Sequence, residues 1–79
     1  MNKITINFIG ITGIIYSEKF ELSNTINDLK SAVSHLTGLT EEFGLSYGGK
    51  LLIYENKNLP DYNIYNNSYI HIISRTVGG

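Results

Sequence analysis

The sequence contains no cysteine. This absence excludes disulfide bonds, thiolate metal sites and a cysteine nucleophile. The two histidines, His35 and His71, would need carboxylate ligands to build a zinc site, so no metal site is predicted. The single proline, Pro60, is expected to begin an irregular turn.

The sequence also lacks a large net charge of either sign. Six basic residues against seven acidic ones give a formal net charge of −1. Without a basic stripe the chain has little to hold a phosphate backbone, so no nucleic-acid partner is expected. Because the charge is small and the outer surface is predicted to be polar, we expect a monomer.

No long apolar run is present. Thr5 and Asn7 interrupt the N-terminal run with a period of two, and no small-residue cleavage site follows, which argues against a signal peptide. No stretch approaches the roughly 20 apolar residues of a membrane-spanning helix. We therefore expect a cytoplasmic protein with no membrane partner.

The N-terminal residues indicate a hairpin. Apolar residues fall on even positions, first at Ile4, Ile6 and Phe8, and then, after a turn between Gly10 and Gly13, at Ile14, Tyr16, Phe20 and Leu22. This alternation is typical of strands with one buried face. Glu18 breaks the pattern. Either it points outward through a bulge, or it lies inward near the edge of the sheet with an unidentified partner.

A helix follows the hairpin. Its apolar stripe has spacings of three and four residues: Ile26, Leu29, Val33 and Leu36. Thr25 suits the N-cap, with Asp28 completing a near capping box, and Gly38 suits a left-handed C-cap. His35 lies off the stripe and is expected to be exposed.

The C-terminal half predicts three further strands. Apolar residues alternate at Phe43, Leu45 and Tyr47, and Gly48-Gly49 predicts a turn into a short strand over residues 51–54. The final strand, residues 69–74, places Ile70 and Ile72 on one face and Tyr69, His71 and Ile73 on the other.

This order predicts an α+β fold, a β-grasp with one helix packed across a mixed sheet of four to five strands. A ferredoxin-like arrangement would need a second helix. The 79 residues make one small domain, predicted over residues 1–74, followed by a flexible tail over residues 75–79.

Several segments together resemble the ubiquitin family over the whole chain. They are the helix start at residues 25–30 (TINDLK), the helix exit at Gly38-Leu39, the turn at Gly49-Lys50 with Leu52, the stretch at residues 59–64 (LPDYNI), and the tail with Arg75 and Gly78-Gly79. The differences indicate a divergent member, with about one extra residue near Asn56 and one fewer between Thr40 and Leu45.

The resemblance implies a protein modifier. An activating enzyme would use ATP to adenylate the Gly79 carboxylate, and conjugating enzymes would pass it as a thioester to a lysine of a target protein. The chain would be a substrate, neither an enzyme nor a cofactor binder, and a processing or deconjugating protease is a further expected partner. Two terminal glycines can also be a frayed end, although their backbone freedom suits a narrow channel.

The residues agree with a non-enzymatic role, because no nucleophile, paired carboxylates or phosphate-binding loop is found. Gly48-Gly49-Lys50 lacks the remaining residues of a phosphate loop.

By resemblance, Arg75 with Thr76 and Val77 would be read by the activating enzyme, and Val77 replaces a basic residue of the family. Lys50 and Lys30 match chain-linking lysines, and Tyr62 would use its hydroxyl to fix the turn before the last strand.

The family's partner-binding surface maps to Ser46, Gly49, His71 and Ile73, with Ile9 and Tyr69 as additions. Ser46 removes a central apolar anchor, so proteins that read ubiquitin are expected to bind weakly.

Two alternatives stay open at this point. One is a sulfur carrier that forms a thiocarboxylate at Gly79, and the other is a non-covalent interaction module that binds through the sheet face.

Overall fold

A computed structural model describes residues 3–74 and places five strands, one α-helix and one short 3-10 helix within that range. In chain order the elements are β1 (Lys3–Ile9), β2 (Ile15–Glu21), α1 (Ile26–Thr37), β3 (Phe43–Tyr47), β4 (Lys50–Leu51), the 3-10 helix (Leu59–Tyr62) and β5 (Ser68–Ser74). Over these residues, neither helix has the length and apolar content needed to cross a membrane.

The strands form one mixed sheet in the order β2-β1-β5-β3-β4. β1 and β5 are parallel neighbours at its centre, and the remaining neighbours are antiparallel. Helix α1 packs on one side, the inner face, and buries Ile26, Leu29 and Val33. The sheet contributes to the same core Ile4, Ile6, Phe8, Phe20, Phe43, Leu45, Ile70 and Ile72. The predicted β-grasp fold is confirmed.

The predicted ends of α1 are also confirmed. The Thr25 hydroxyl accepts a hydrogen bond from the Asp28 N–H at 3.3 Å, and the Asp28 carboxylate accepts one from the Thr25 N–H at 2.9 Å. This capping box satisfies two backbone donors that a helix start leaves open. Gly38 ends the helix with φ 74°, and its N–H donates to the Ser34 carbonyl.

The structure corrects two predicted strand boundaries and the conformation predicted at Pro60. Ile14 does not belong to the second strand, which begins at Ile15; its side chain is 55% exposed in the turn. The short strand predicted over residues 51–54 is present, but it spans only Lys50–Leu51; beyond it, the Ile53 N–H donates to the Leu51 carbonyl. The irregular turn predicted at Pro60 is a turn of 3-10 helix.

The register settles the position of Glu18. β1 and β2 pair without interruption from Lys3 opposite Glu21 to Ile9 opposite Ile15, so there is no bulge. Glu18 lies opposite Ile6 and therefore projects from the inner face, where it is half-buried on an edge strand.

Candidate functional site

One row of side chains crosses all five strands on the side of the sheet away from α1, the outer face. The register places opposite each other Ile15 and Ile9, Ile9 and His71, His71 and Ser46, and Ser46 and Leu51. Residues directly opposite on paired strands project from the same face. We call these five residues the outer row.

The outer row has a polar centre and apolar ends. Ile15 is 55% exposed at one end and Leu51 is 42% exposed at the other. The centre consists of the exposed His71 and the half-buried Ser46. Since strands lie about 4.8 Å apart, the row extends about 19 Å across the sheet. Such a row offers hydrogen-bonding groups between two apolar contacts.

The structure brings together five of the six residues predicted for the partner-binding surface. Ile9, Ser46 and His71 belong to the outer row, and Tyr69 and Ile73 flank His71 along β5. The sixth residue, Gly49, lies in the exposed β3–β4 turn with φ 79°. Their role in binding stays a prediction.

Sequence reasoning missed the two ends of the outer row. Ile15 falls on an odd position of a strand whose even residues are less exposed than its odd ones, which is a signal for the outer face. Leu51 was predicted in a strand but was not assigned to any surface. The local hydrophobic pattern does not place Ile15 or Leu51 in the outer row, because their positions depend on which strands become neighbours.

The two predicted linkage lysines occupy different environments. The Lys30 ammonium lies 2.6 Å from the Glu55 carboxylate and 5.8 Å from the centre of the Phe43 ring, and its side chain is only 23% exposed. Lys50 is exposed and borders an open cleft of about 320 Å³. Among the described residues, Lys30 is held in an ion pair and Lys50 is not.

Tyr62 makes a structural contact. Its hydroxyl accepts a hydrogen bond from the Tyr54 N–H at 3.2 Å. The bond ties the 3-10 helix to the segment that follows β4, in agreement with the structural role predicted for the phenol.

The tail residues predicted to carry the chemistry, Arg75, Thr76, Val77, Gly78 and Gly79, lie outside the described residues. The last described element, β5, ends at Ser74. Within residues 3–74, no group of three or more His, Cys, Asp or Glu side chains is placed to hold a metal ion.

Comparisons with known proteins agree with this architecture. The family model described as "Ubiquitin family" matches residues 4–76. The solution structure of the ubiquitin-like domain of an Arabidopsis thaliana protein superposes with a TM-score of 0.88 at 19% identity. The match covers 98% of this chain and 82% of that one, and at this identity it shows the fold alone. No curated protein sequence matches significantly.

Proposed function

Because the chain belongs to the ubiquitin family, we propose that it is a protein modifier, attached through the Gly79 carboxylate to lysine amines of target proteins. An activating enzyme joins the carboxylate to AMP and releases pyrophosphate from ATP. An enzyme thiolate then displaces AMP, and a target amine displaces the thiol to form an isopeptide bond. We expect this in the cytoplasm, where ATP is available.

The observation that carries the proposal is the spacing between the domain and the diglycine. Strand β5 ends at Ser74, and five residues then lead to Gly79. Five residues span at most about 17 Å. That reach, with two residues that lack side chains, allows a carboxylate to enter a narrow channel while the domain stays outside.

Recognition by the activating enzyme is assigned to Arg75, Thr76 and Val77. The planar guanidinium of Arg75 suits a carboxylate on an enzyme surface, because it donates two parallel hydrogen bonds. Val77 places an apolar side chain next to the diglycine. We propose a dedicated activating enzyme with an apolar contact at this position.

The outer row favours a partner that makes polar contacts at the centre of the row, rather than one that needs an apolar centre. Covering Ser46 without a hydrogen-bond partner would cost about 1–3 kcal/mol. A fitting partner therefore presents a polar group to Ser46 and His71, and apolar side chains to the two ends of the row. Gly49, in the adjacent turn, leaves room for close approach, because nothing lies within 4 Å of a Cβ built there.

If chains form, Lys50 is the proposed acceptor. Its amine is exposed beside an open cleft, whereas an enzyme would have to break the contact with Glu55 to use Lys30. The protein itself has no catalytic role in this proposal. Its expected partners are activating, conjugating and deconjugating enzymes and the target proteins.

The experiment is intact mass spectrometry of adducts formed in lysate of the source organism. The chain and a variant lacking Gly78-Gly79 are each incubated with and without ATP. We expect adducts on target lysines only for the full chain with ATP. A Lys50→Arg variant, which keeps the charge and removes the acceptor amine, tests chain formation in the same assay.

Two results would contradict the proposal. A product in which sulfur replaces one oxygen of the Gly79 carboxylate, without protein adducts, would establish a sulfur carrier. Partners captured equally by the full and truncated chains, without any covalent product, would establish a non-covalent module.

A further inference from the structure

Strand β2 forms an open edge of the sheet, and its free backbone groups can be assigned. The Thr5 N–H donates to the Asn66 side chain at 2.8 Å, and the Thr5 carbonyl accepts from the Asn67 N–H at 2.7 Å. The odd residues of β1 therefore face β5, and the even residues exchange hydrogen bonds with β2. By the alternation of antiparallel pairs, the odd residues of β2 direct their N–H and C=O groups to the open edge.

One end of this edge is already occupied. The Glu21 N–H donates to the Asn24 side-chain oxygen at 2.8 Å, and the Glu21 carbonyl accepts from the Asn24 N–H at 2.9 Å. The groups that remain for a new strand belong to Ile15, Ser17 and Lys19. We call residues 15–19 the open edge.

Glu18 lies within the open edge, and no counter-charge is paired with it among residues 3–74. It projects from the inner face between Tyr16 and Phe20, and it is half-buried. Over residues 3–74, no hydrogen bond or ion pair reaches its carboxylate; the ion pair found in this part of the chain joins Lys30 and Glu55. An inward charge on an edge strand is a known way to discourage unwanted strand pairing.

A second copy of the chain is a poor occupant of the open edge. Hydrogen bonding requires that odd residues pair with odd residues across an antiparallel β2–β2 contact. The register centred on Ser17 places Glu18 opposite the second Tyr16, and the register centred on Glu18 places two carboxylates opposite each other. Neither supplies a positive charge.

We propose that the open edge binds an extended segment of another protein as an added antiparallel strand, and that this segment places a lysine or arginine opposite Glu18. Opposite charges in directly facing positions stabilise a strand pair, and like charges destabilise it. The residues two positions on either side face Tyr16 and Phe20 and are therefore apolar. The partner is a basic, alternating strand, bound by main-chain hydrogen bonds and selected by charge.

The test uses three capped seven-residue peptides that alternate threonine and valine around a central lysine, glutamine or glutamate. They are titrated into the ¹⁵N-labelled full chain while backbone amide shifts are followed. We expect the largest shifts at Ile15, Ser17 and Lys19, and about tenfold tighter binding of the lysine peptide than of the glutamate peptide. Glu18→Lys should reverse this order.

Two variants provide controls. Glu41→Lys makes the same change in net charge at an exposed position away from β2, and should leave the order of the peptides unchanged. Lys19→Pro removes a backbone N–H that faces the open edge, where proline is tolerated in a strand. It should weaken the binding of all three peptides, while the amide signals of β1 and α1 should keep the dispersion of the folded protein.

Three results would overturn the proposal: equal affinities for the lysine and glutamate peptides, unchanged binding by Lys19→Pro, or dimerisation of the free chain through β2. Since none of these measurements involves Gly79, the proposal stands or fails independently of conjugation.

Discussion

The two faces of the same sheet are built by different rules. On the inner face, residues of β1 and β5 such as Ile6, Phe8 and Ile70 are completely buried beneath α1. On the outer face, His71 of β5 and Ser46 of β3 lie between the exposed Ile15 and Leu51 at the two ends of the outer row. The residues of the inner face are therefore selected by burial, whereas those of the outer row remain accessible to solvent and carry the proposed binding role.

This difference explains where changes should affect stability and where they should affect binding. A small domain has little stability to lose, because its core supplies only about 3–5 kcal/mol net. Large truncations on the inner face should therefore unfold the chain. Changes in the outer row should leave the fold intact and alter recognition.

The largest effect is expected for Phe8→Ala. Phe8 is fully buried and contacts Phe20 edge to face, with ring centres 6.0 Å apart. Truncating a buried phenylalanine costs about 3–5 kcal/mol, which equals the stability of a domain of this size. We expect a largely unfolded protein in far-UV circular dichroism and no cooperative transition in urea.

Two companion variants make this comparison quantitative. Phe8→Leu keeps most of the buried volume, so its transition should remain measurable with a loss of about 1.5 kcal/mol or less. Tyr69→Ala removes an equally large ring from the outer face, and its unfolding free energy should change by about 0.5 kcal/mol at most. A large loss for Tyr69→Ala would show that the outer face also determines the fold.

The second-largest effect is expected for Ser46→Ile, which should increase the affinity for ubiquitin-binding domains. Isoleucine suits a strand, so the fold should be unaffected. Burying its side chain against a partner contributes about 1.5–3 kcal/mol, which corresponds to about tenfold tighter binding or more. Calorimetric titration with a helical domain that reads ubiquitin measures this gain.

The matched control for the binding test is Ser31→Ile. Ser31 is exposed on α1, away from the outer row. The Ser31→Ile substitution introduces the same isoleucine side chain without changing the sheet. Equal gains for both variants would mean that the added isoleucine binds non-specifically, and the role assigned to the centre of the row would be wrong.

The inner face could be predicted from the sequence, whereas the two ends of the outer row could not. Period-two alternation identified Ile4, Ile6 and Phe8 as buried, since one strand alone carries that pattern. The alignment of Ile15 with Leu51 depends on four strand registers, of which two connect β5 to distant segments of the chain. Local pattern contains no such information. Glu18 remained ambiguous for the same reason, because only an uninterrupted register excludes a bulge.

Other differences have local causes. Residues 51–54 are apolar enough for a strand, but the turn after Leu51 removes Ile53 from the sheet. The roles proposed for Arg75 and Gly79 come from the family resemblance and from chemistry alone, because both residues lie outside the described residues.

The third effect concerns the helix that covers the inner face. Thr25→Ala removes the hydroxyl that accepts the Asp28 N–H, and loss of an N-cap costs about 1 kcal/mol. Urea denaturation at neutral pH measures this loss. Thr25→Ser keeps the hydroxyl and should retain most of the stability; a loss as large as that of alanine would exclude the capping contact as the cause.

The same cap makes stability depend on pH. The backbone hydrogen bond from Thr25, followed by that from the Asn24 side chain, lowers the pKa of Asp28 below its ordinary value of 3.8. A carboxylate whose pKa is lower in the folded state than in the unfolded state stabilises the fold at pH values above the unfolded-state pKa. This stabilisation is lost as the pH falls through the folded-state pKa. The stability difference between the wild type and Asp28→Ala should therefore be constant near neutrality and should shrink below about pH 3.8. Glu41→Ala controls for charge; a similar pH dependence there would contradict the assignment.

The smallest effect is expected where Lys30 of α1 contacts Glu55. The ammonium and carboxylate are 2.6 Å apart, but the Glu55 side chain is 49% exposed, so solvent weakens the pair. Glu55→Gln should cost about 0.5 kcal/mol or less, and the loss should diminish in 1 M salt. Lys30→Met keeps the apolar stem and removes both the ion pair and the cation above Phe43, so it should cost somewhat more, including a part that salt does not remove. If both variants lose the same free energy at all salt concentrations, the Phe43 contact contributes nothing and Lys30 is held by Glu55 alone.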